Sequence, residues 1–527
     1  MPITHALFNA LVEALTLVLP LTAPADMSLK LFFRDRPKLG HRDRGFIAET
    51  VFAVLRHRRL IAYFSPKANP RAMALLAMTR FQKVSIGDLN TVLKRDEAVW
   101  LQELKGKNPT ELPLGVEAEL PDWVLSRLSQ FMSNAEIIKL GQSMMKPAPL
   151  DLRVNSLKAK RDAVLKRFEQ EGIACVPMTY SPMGIRLADK ISLAKHPAFL
   201  EGFVEVQDEG SQLLGLLLDA KRGEMVADFC AGAGGKSLLI GASMASTGRL
   251  YAFDVSEKRL ANLGPRLKRS GLSNVQAIRI VSENDTKIKR LAGKLDRVLV
   301  DAPCTGLGTL RRNPDLKYRQ TEAGLAELNI KQASILNAAA KLVTTGGHLV
   351  YATCSLLREE NEMIVEAFLS THADFTLVSA DDVLKRQKIE LTGMDPYLRL
   401  SPQKHGTDGF FAAVLVRSGA FKGKATVATK LAAAELAAAN DEPSDADDEA
   451  LKAKRTALSI AKSKSKTVAK TTKADVAVPK TRRANTKAAP KPIVKTSAKT
   501  KAVAKTTPAA NKTLKKKITT ARKPAGK

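Results

Sequence analysis

The chain has 527 residues, enough for two to four domains, and a 45% hydrophobic content that can fill buried cores. Its 84 Lys+Arg against 53 Asp+Glu leave +31, and +23 of that lies in Leu451–Lys527, where 24 basic residues meet one acid, Asp475; such a balance points to a polyanion, nucleic acid above all. Four cysteines (Cys175, Cys230, Cys304, Cys354) without metal-finger spacing exclude a disulfide framework and a zinc module, and favour a reducing, cytoplasmic setting.

Residues 1–145 read as helical. The apolar start "ITHALFNALVEALTLVLPLTAPADM" invites a signal-peptide reading, but no Lys or Arg precedes it and Glu13 interrupts the run. Ala6, Leu7, Ala10, Leu11, Ala14 and Leu15 fall at helical spacing, so an amphipathic helix is expected. Nothing else approaches a membrane span. In "RGFIAETVFAVLRHRRLIAYF", Ile47, Val51, Val54 and Leu55 share one face. The basic stretches "RDRPKLGHRDR" and "RHRR" (Arg56–Arg59) suit either a solvated face or RNA contact. Over 149–220 the period changes to "PLDLRVNSL", "IACVPM" and "GIRLA" as strands and "KRDAVLKRFEQEG" as a helix, a small α+β unit.

From 221 to 418, seven apolar strands alternate with helices: "EMVADFC", "GRLYAFDVS", "VQAIRIV", "LDRVLVDAPC", "GGHLVYATCS", "DFTLVSA" and "GFFAAVLVRS". This predicts an α/β, Rossmann-like, doubly wound domain with a parallel sheet covered on both faces and an antiparallel hairpin at one edge. Ligands should sit at the carboxyl ends of its strands. Residues 419–527 collapse into Ala, Lys, Thr and Pro without apolar periodicity and are expected to be a disordered Lys/Ala-rich tail.

The first of these strands runs into "DFCAGAGGKS" (Asp228–Ser237) and then a helix. Glycines permit a sharp turn and close approach of a ligand, and the helix start supplies N–H donors. The next strand ends in "FDVS", which places Asp254 nineteen residues after Gly235, where a carboxylate can accept both hydroxyls of a ribose. The Walker spacing is missing and GxGxxG is not matched. S-adenosylmethionine, with no pyrophosphate, fits a single mononucleotide half-site, with Asp285 of "SENDTK" facing the adenine.

Asp301 and Cys304 follow the fourth strand and Cys354 the fifth, so both loops open onto one crevice. Methylation of pyrimidine carbon 5 explains two thiols and an acid there. Carbon 5 is too weak a nucleophile until a thiolate adds to carbon 6, and a carboxylic acid hydrogen-bonded to nitrogen 3 stabilises the charge that develops. One cysteine is then the nucleophile and the other assists elimination, in an order that the chemistry alone leaves open.

"DFCAGAGGKS", "LDRVLVDAPCTGLGTLRRNPD", "YATCSLLREENE" and "HGTDGFFAAVL" strongly resemble the RsmB/Sun family of RNA 5-methylcytosine methyltransferases, over about Leu150–Arg417. The resemblance implies that the thiol of "TCS", Cys354, is the nucleophile and that of "PC", Cys304, helps release the product. It also implies a cofactor loop of Cys230, Ala231, Gly232, Ala233, Gly234, Gly235 and Lys236, with Asp254, Asp285 and Asp301 as further contacts. Ala233 stands where many members have Pro, a departure that should matter little because the glycines after it remain. The segment from "LDLRVNSL" resembles the family's RNA-binding subdomain.

The expected activity is therefore transfer of a methyl group from S-adenosylmethionine to a cytidine of RNA, most readily ribosomal RNA, by a cytoplasmic protein without a metal, a membrane anchor or any feature that demands a dimer. Transfer RNA as substrate, or an inactive RNA-binding assembly factor, are the rivals. "LRRNPDLKYR", just after Cys304, offers Arg311, Arg312, Lys317 and Arg319 to phosphates, and the basic tail should add sequence-independent affinity.

Overall fold

Leucines at three-and-four spacing make the first helix, His5–Val18, which Thr4 caps by accepting the Leu7 N–H. Leu7, Leu11, Ala14 and Leu15 are buried and Ala6 stays exposed. They share a core with Ile47, Val51, Val54 and Leu55 of the helix His41–Arg56, the face that the spacing predicts. A second helical group, Asp122–Leu128 and Asn134–Met145, turns Val124, Leu128, Ile137 and Leu140 towards Leu307, Leu310, Leu325 and Leu357. It therefore rests on the loops that carry the two candidate cysteines. The computed structural model describes residues 3–418 apart from 108, 110 and 392–395, so the tail expected to be disordered lies outside the described residues.

The α+β unit is a four-stranded antiparallel sheet ordered β2-β3-β1-β4, formed by β1 (Leu150–Val154), β2 (Cys175–Pro177), β3 (Gly184–Leu187) and β4 (Val204–Val206). Val164 and Phe168 of the helix Arg161–Gln170 are buried in its core. β4 is absent from the sequence reading because three residues carry no period.

The larger sheet has all seven expected strands: β5 (Met225–Asp228), β6 (Arg249–Asp254), β7 (Val275–Arg279), β8 (Leu295–Asp301), β9 (Val343–Thr353), β10 (Phe375–Val378) and, after the additional short β11 (Leu398–Leu400), β12 (Phe410–Arg417). Their order is β10-β12-β9-β8-β5-β6-β7, with β11 beside β12. The pairings among β5 to β9 are parallel, and β12 is antiparallel to β9, β10 and β11. The expected edge hairpin takes a different form. β12 slots between β9 and β10, and the connection is long enough to carry a helix, Ala380–Lys385, and β11. The chain builds outwards from β5 to β7 and then crosses back to β8 and β9. The strand order thus reverses between β5 and β8, and a crevice opens at their carboxyl ends.

Candidate active site

Three loops meet at that crevice. The loop after β5 turns through Gly232 (φ 57°) and Gly234 (φ 80°) into the helix Gly235–Ser243. A side chain at Gly234 would meet Leu263 Cδ1 at 2.2 Å, so the turn needs glycine there. Around Gly232 the nearest atom to an added Cβ is Arg259 Nη1 at 3.9 Å, and around Gly235 nothing lies closer than 4.0 Å. The backbone is thus bare on the side where a ligand can lie. Asp254 closes the loop: its carboxylate accepts the Gly232 N–H (2.8 Å) and the Ser256 N–H (2.7 Å) and meets Arg259 Nη2 at 3.1 Å. Arg259 is the exposed partner of the three, and the carboxylate keeps lone pairs for hydroxyl donors. Beneath the loop, Asp228 accepts from Ser237 Oγ (2.7 Å) while its other oxygen is buried with no partner. Burial pushes this carboxyl up to about 6. An open glycine face with an acidic acceptor beside it fits an adenosine-bearing cofactor.

Lys236 crosses the switch point: its Nζ lies 2.7 Å from Asp301 Oδ2 at the end of β8. Burial alone would push the ammonium down, but Asp301 more than offsets this, so Lys236 stays charged, above the usual lysine range. Cys304 and Cys354 follow neighbouring strands in register (Val300 beside Tyr351, Asp301 beside Ala352), and their Sγ atoms are 3.4 Å apart. Cys304 is pushed well above an ordinary thiol, first by its hydrogen bond with Cys354, then by burial, the charge of Cys354 and Glu360. It keeps its proton, so we read its S–H as the donor across that gap. Cys230 is likewise raised, by burial first.

The structure brings Cys230, Lys236, Asp301, Cys304 and Cys354 together and ties Asp254 to them through Gly232. Ala231 and Ala233 contribute backbone: the Ala231 N–H donates to Phe253 O, and Ala233 O accepts from Arg266. Asp285 lies in the loop after β7 and caps the helix Thr286–Lys289, its two oxygens accepting the N–H groups of Val281 (3.0 Å) and Lys287 (2.9 Å).

Sequence reading missed Glu360. Its fully buried carboxylate accepts the Thr305 N–H (2.8 Å), Thr305 Oγ1 (2.5 Å), Gln332 Nε2 (3.0 Å) and the Ser355 hydroxyl. Thr305 follows Cys304 and Ser355 follows Cys354, so one acid clamps both thiol loops. Asn361 adds a bond from Thr353 Oγ1 (2.5 Å). The signal was present in "REENE", but an acidic run there reads as solvated surface.

The phosphate contacts expected of "LRRNPDLKYR" are corrected. Arg311 is buried against Asp408 (2.9 Å), and Arg312 bridges Asp408 (2.5 Å) and Asp208 (3.0 Å). Lys317, also buried, donates to Arg56 O (2.7 Å), Glu119 O (2.8 Å) and the Glu119 carboxylate (3.3 Å), while Arg319 pairs with Asp315. Of "RHRR", Arg56 is buried and donates to Arg311 O, and Arg59 holds Leu120 O and Asp122. Of these cations, Arg56 and Lys317 hold the helical region to the catalytic domain. Among the described residues no cluster could hold a metal, and no helix is long and apolar enough to cross a membrane.

Comparison with known proteins agrees with this geometry. Residues 215–416 match the family model for 16S rRNA methyltransferase RsmB/F, and residues 120–194 match that for the RsmF/B-like ferredoxin-like domain. A probable ribosomal RNA small subunit methyltransferase B of Synechocystis is 34% identical over 339 residues, 63% of this chain and 74% of that protein. Its counterpart in Bacillus subtilis is 29% identical over 420 residues, 72% and 92%. Among solved structures, PH0851 superposes with a TM-score of 0.65 at 26% identity, covering 79% of this chain and all of its own. NSun6 from Pyrococcus horikoshii, solved with SFG, shares the fold with a TM-score of 0.50 at 22% identity, covering 57% and 99%. The chain belongs to the RsmB/F family of 16S rRNA methyltransferases, enzymes that take their methyl group from S-adenosylmethionine.

Proposed function

We propose that this protein methylates carbon 5 of a cytidine in small-subunit ribosomal RNA, in the cytoplasm, through a covalent bond between Cys354 and carbon 6. The observation that carries the reading is the pair of thiols 3.4 Å apart beside the Lys236–Asp301 ion pair. Residues 221–418 hold the chemistry in this proposal, 149–220 serve as an RNA-binding subdomain and 1–145 as a helical support.

Cys230–Lys236, Asp254, Asp285 and Asp301 would hold S-adenosylmethionine, which supplies an electrophilic methyl group when bound. Cys354 adds as thiolate to carbon 6. Asp301 takes a proton from the Lys236 ammonium paired with it and passes it to nitrogen 3, from which it returns when the product leaves, so the charge pushed into the ring has somewhere to rest. Carbon 5 then takes the methyl group, a base removes the remaining carbon-5 proton, and the C6–S bond breaks to return the Cys354 thiolate. Cys304, which keeps its proton at rest and touches Cys354, assists that release. A base held within a duplex cannot reach such a site, so the cytidine must be unstacked.

The test is to incubate the enzyme with methyl-labelled cofactor and an unmodified 16S rRNA transcript, digest the RNA to nucleosides and identify the labelled one. 5-Methylcytidine supports the reading, and label in any other nucleoside overturns it. No transfer to any RNA would favour an inactive assembly factor.

A further inference from the structure

The cations nearest Cys304 in sequence are spent inside the protein, so RNA must find its positive charge elsewhere. A groove of about 1260 Å³ runs along the other thiol loop. Ser355 and Leu356, the two residues after Cys354, form part of its wall, with Phe410 and Phe411 of β12. Because β12 is antiparallel to β9 (Phe411 opposite Thr353), both reach the carboxyl end of the sheet on the side away from β5 and β6. Along that edge the order is cofactor loop, thiols, groove.

Its charge is only partly offset. Lys139 and Lys146 from the helix Asn134–Met145 and its end, Arg358 and Lys404 line it, all exposed, and none has a carboxylate at ion-pair distance among the described residues. Of the acids on its wall, Glu362 holds Arg399 (2.7 Å), while Glu136 caps its helix through Ser133 N–H (3.0 Å) and Oγ (2.9 Å) and feels Lys404 and Lys139, so four cations face one carboxylate that no arginine or lysine pairs. Phe131 lies open at the rim, with the Arg358 guanidinium 6.0 Å from its ring centroid. Four scattered lysines and arginines on a surface would mean only solvation. Converging on one concavity beside a nucleophile, with an open aromatic ring, they match the equipment of a single-strand channel: cations along the backbone and a ring on which a base stacks. The cavity also exceeds the roughly 300–1,000 Å³ of a small-ligand pocket.

We propose that the RNA strand flanking the target cytidine lies in this groove, with phosphates on Lys139, Lys146, Arg358 and Lys404 and one base on Phe131. The proposal rests on the cytosine-methylation reading above.

The test uses the full chain, a 16S rRNA transcript, and three variants: Lys139→Ala/Lys146→Ala/Lys404→Ala, Phe131→Ala, and the charge-matched control Lys268→Ala/Lys289→Ala/Lys294→Ala on the far flank. The groove triple should weaken RNA binding at least tenfold and flatten the slope of log K against log salt by about 2, at ~0.7 per phosphate contact over about 50–200 mM. Phe131→Ala should cost roughly tenfold. In both, cofactor Kd, melting temperature and the single-turnover rate at saturating RNA should match wild type. The proposal is overturned if the control triple loses as much affinity as the groove triple. It is equally overturned if the groove variants bind normally, or if 4-thiouridine beside the target crosslinks only outside Phe131–Lys146 and Arg358–Lys404. Wild type that binds RNA but makes no 5-methylcytidine defeats the methylation reading, and the affinities still decide the groove.

Discussion

Lys236 and Asp301 are held 2.7 Å apart across the switch point, and each is poorly placed without the other. Asp301→Asn keeps the shape but loses the group that can give nitrogen 3 a proton. Single-turnover transfer should fall by about 10²–10⁴-fold, with the folded state retained by circular dichroism. Asp228 gives a pH signature. Its folded pKa of about 6 lies above the ordinary 3.8. The stability it contributes is therefore full below pH 4 and lost as pH rises through about 6, where a buried carboxylate must ionise. Asp228→Asn should gain on wild type between pH 3 and pH 8, by about 3 kcal/mol. Denaturant titrations at the two pH values check this, and an equal difference at both would contradict it. At this scale the sequence exposed the residues whose neighbours are implied by strand order: Asp301 ends β8, and Cys304 and Cys354 follow the ends of β8 and β9. Glu360 was illegible, because what makes it a buried acceptor is Thr305 and Gln332, brought to it only by the fold.

The two thiol loops and the turn Arg358–Glu360 behave as one element. Glu360 holds Thr305 and Ser355, and Gly308 packs so closely that its N–H reaches Cys354 O (2.8 Å) and its own carbonyl accepts the Gly409 N–H (2.8 Å). Glu360→Ala would leave at least two buried donors unmet, at about 1–3 kcal/mol each. Urea unfolding should register that loss. Oxidant-driven formation of a Cys304–Cys354 disulfide should slow, because the sulfurs are no longer held 3.4 Å apart. Unchanged crosslinking would mean that Glu360 does not set the thiol geometry. Continuous Val/Leu/Ile runs make β5 to β10 and β12 readable in the sequence. β4 and β11 are three residues long and take their form from their neighbours. The placement of β12 between β9 and β10 is a matter of pairing, which periodicity does not encode.

Over the whole molecule, the helical region is fastened to the catalytic sheet by a buried charge. Lys317, lowered to about 8 chiefly by burial, reaches Glu119, 198 residues earlier, and Arg56 O, 261 residues earlier. Lys317→Met would strand Glu119, itself raised by burial, at a cost of about 3–5 kcal/mol. Hydrogen exchange should quicken at Arg56–Leu60 and Glu119–Asp122 before it does in β8 and β9; uniform quickening would contradict this anchoring role. Such pairings explain why "LRRNPDLKYR" misleads as a string. A basic run looks solvated or RNA-bound until Asp208, Asp408 and Glu119 arrive from distant segments.

Catalysis turns on the division of labour between the thiols, and trapping measures it directly. Wild type, Cys304→Ala and Cys354→Ala are incubated with cofactor and 16S rRNA and run on denaturing gels. Cys304→Ala should accumulate a protein–RNA adduct, because Cys354 still adds to carbon 6 but leaves slowly, and Cys354→Ala should give neither adduct nor product. An adduct from Cys354→Ala and none from Cys304→Ala would make Cys304 the nucleophile and contradict the account.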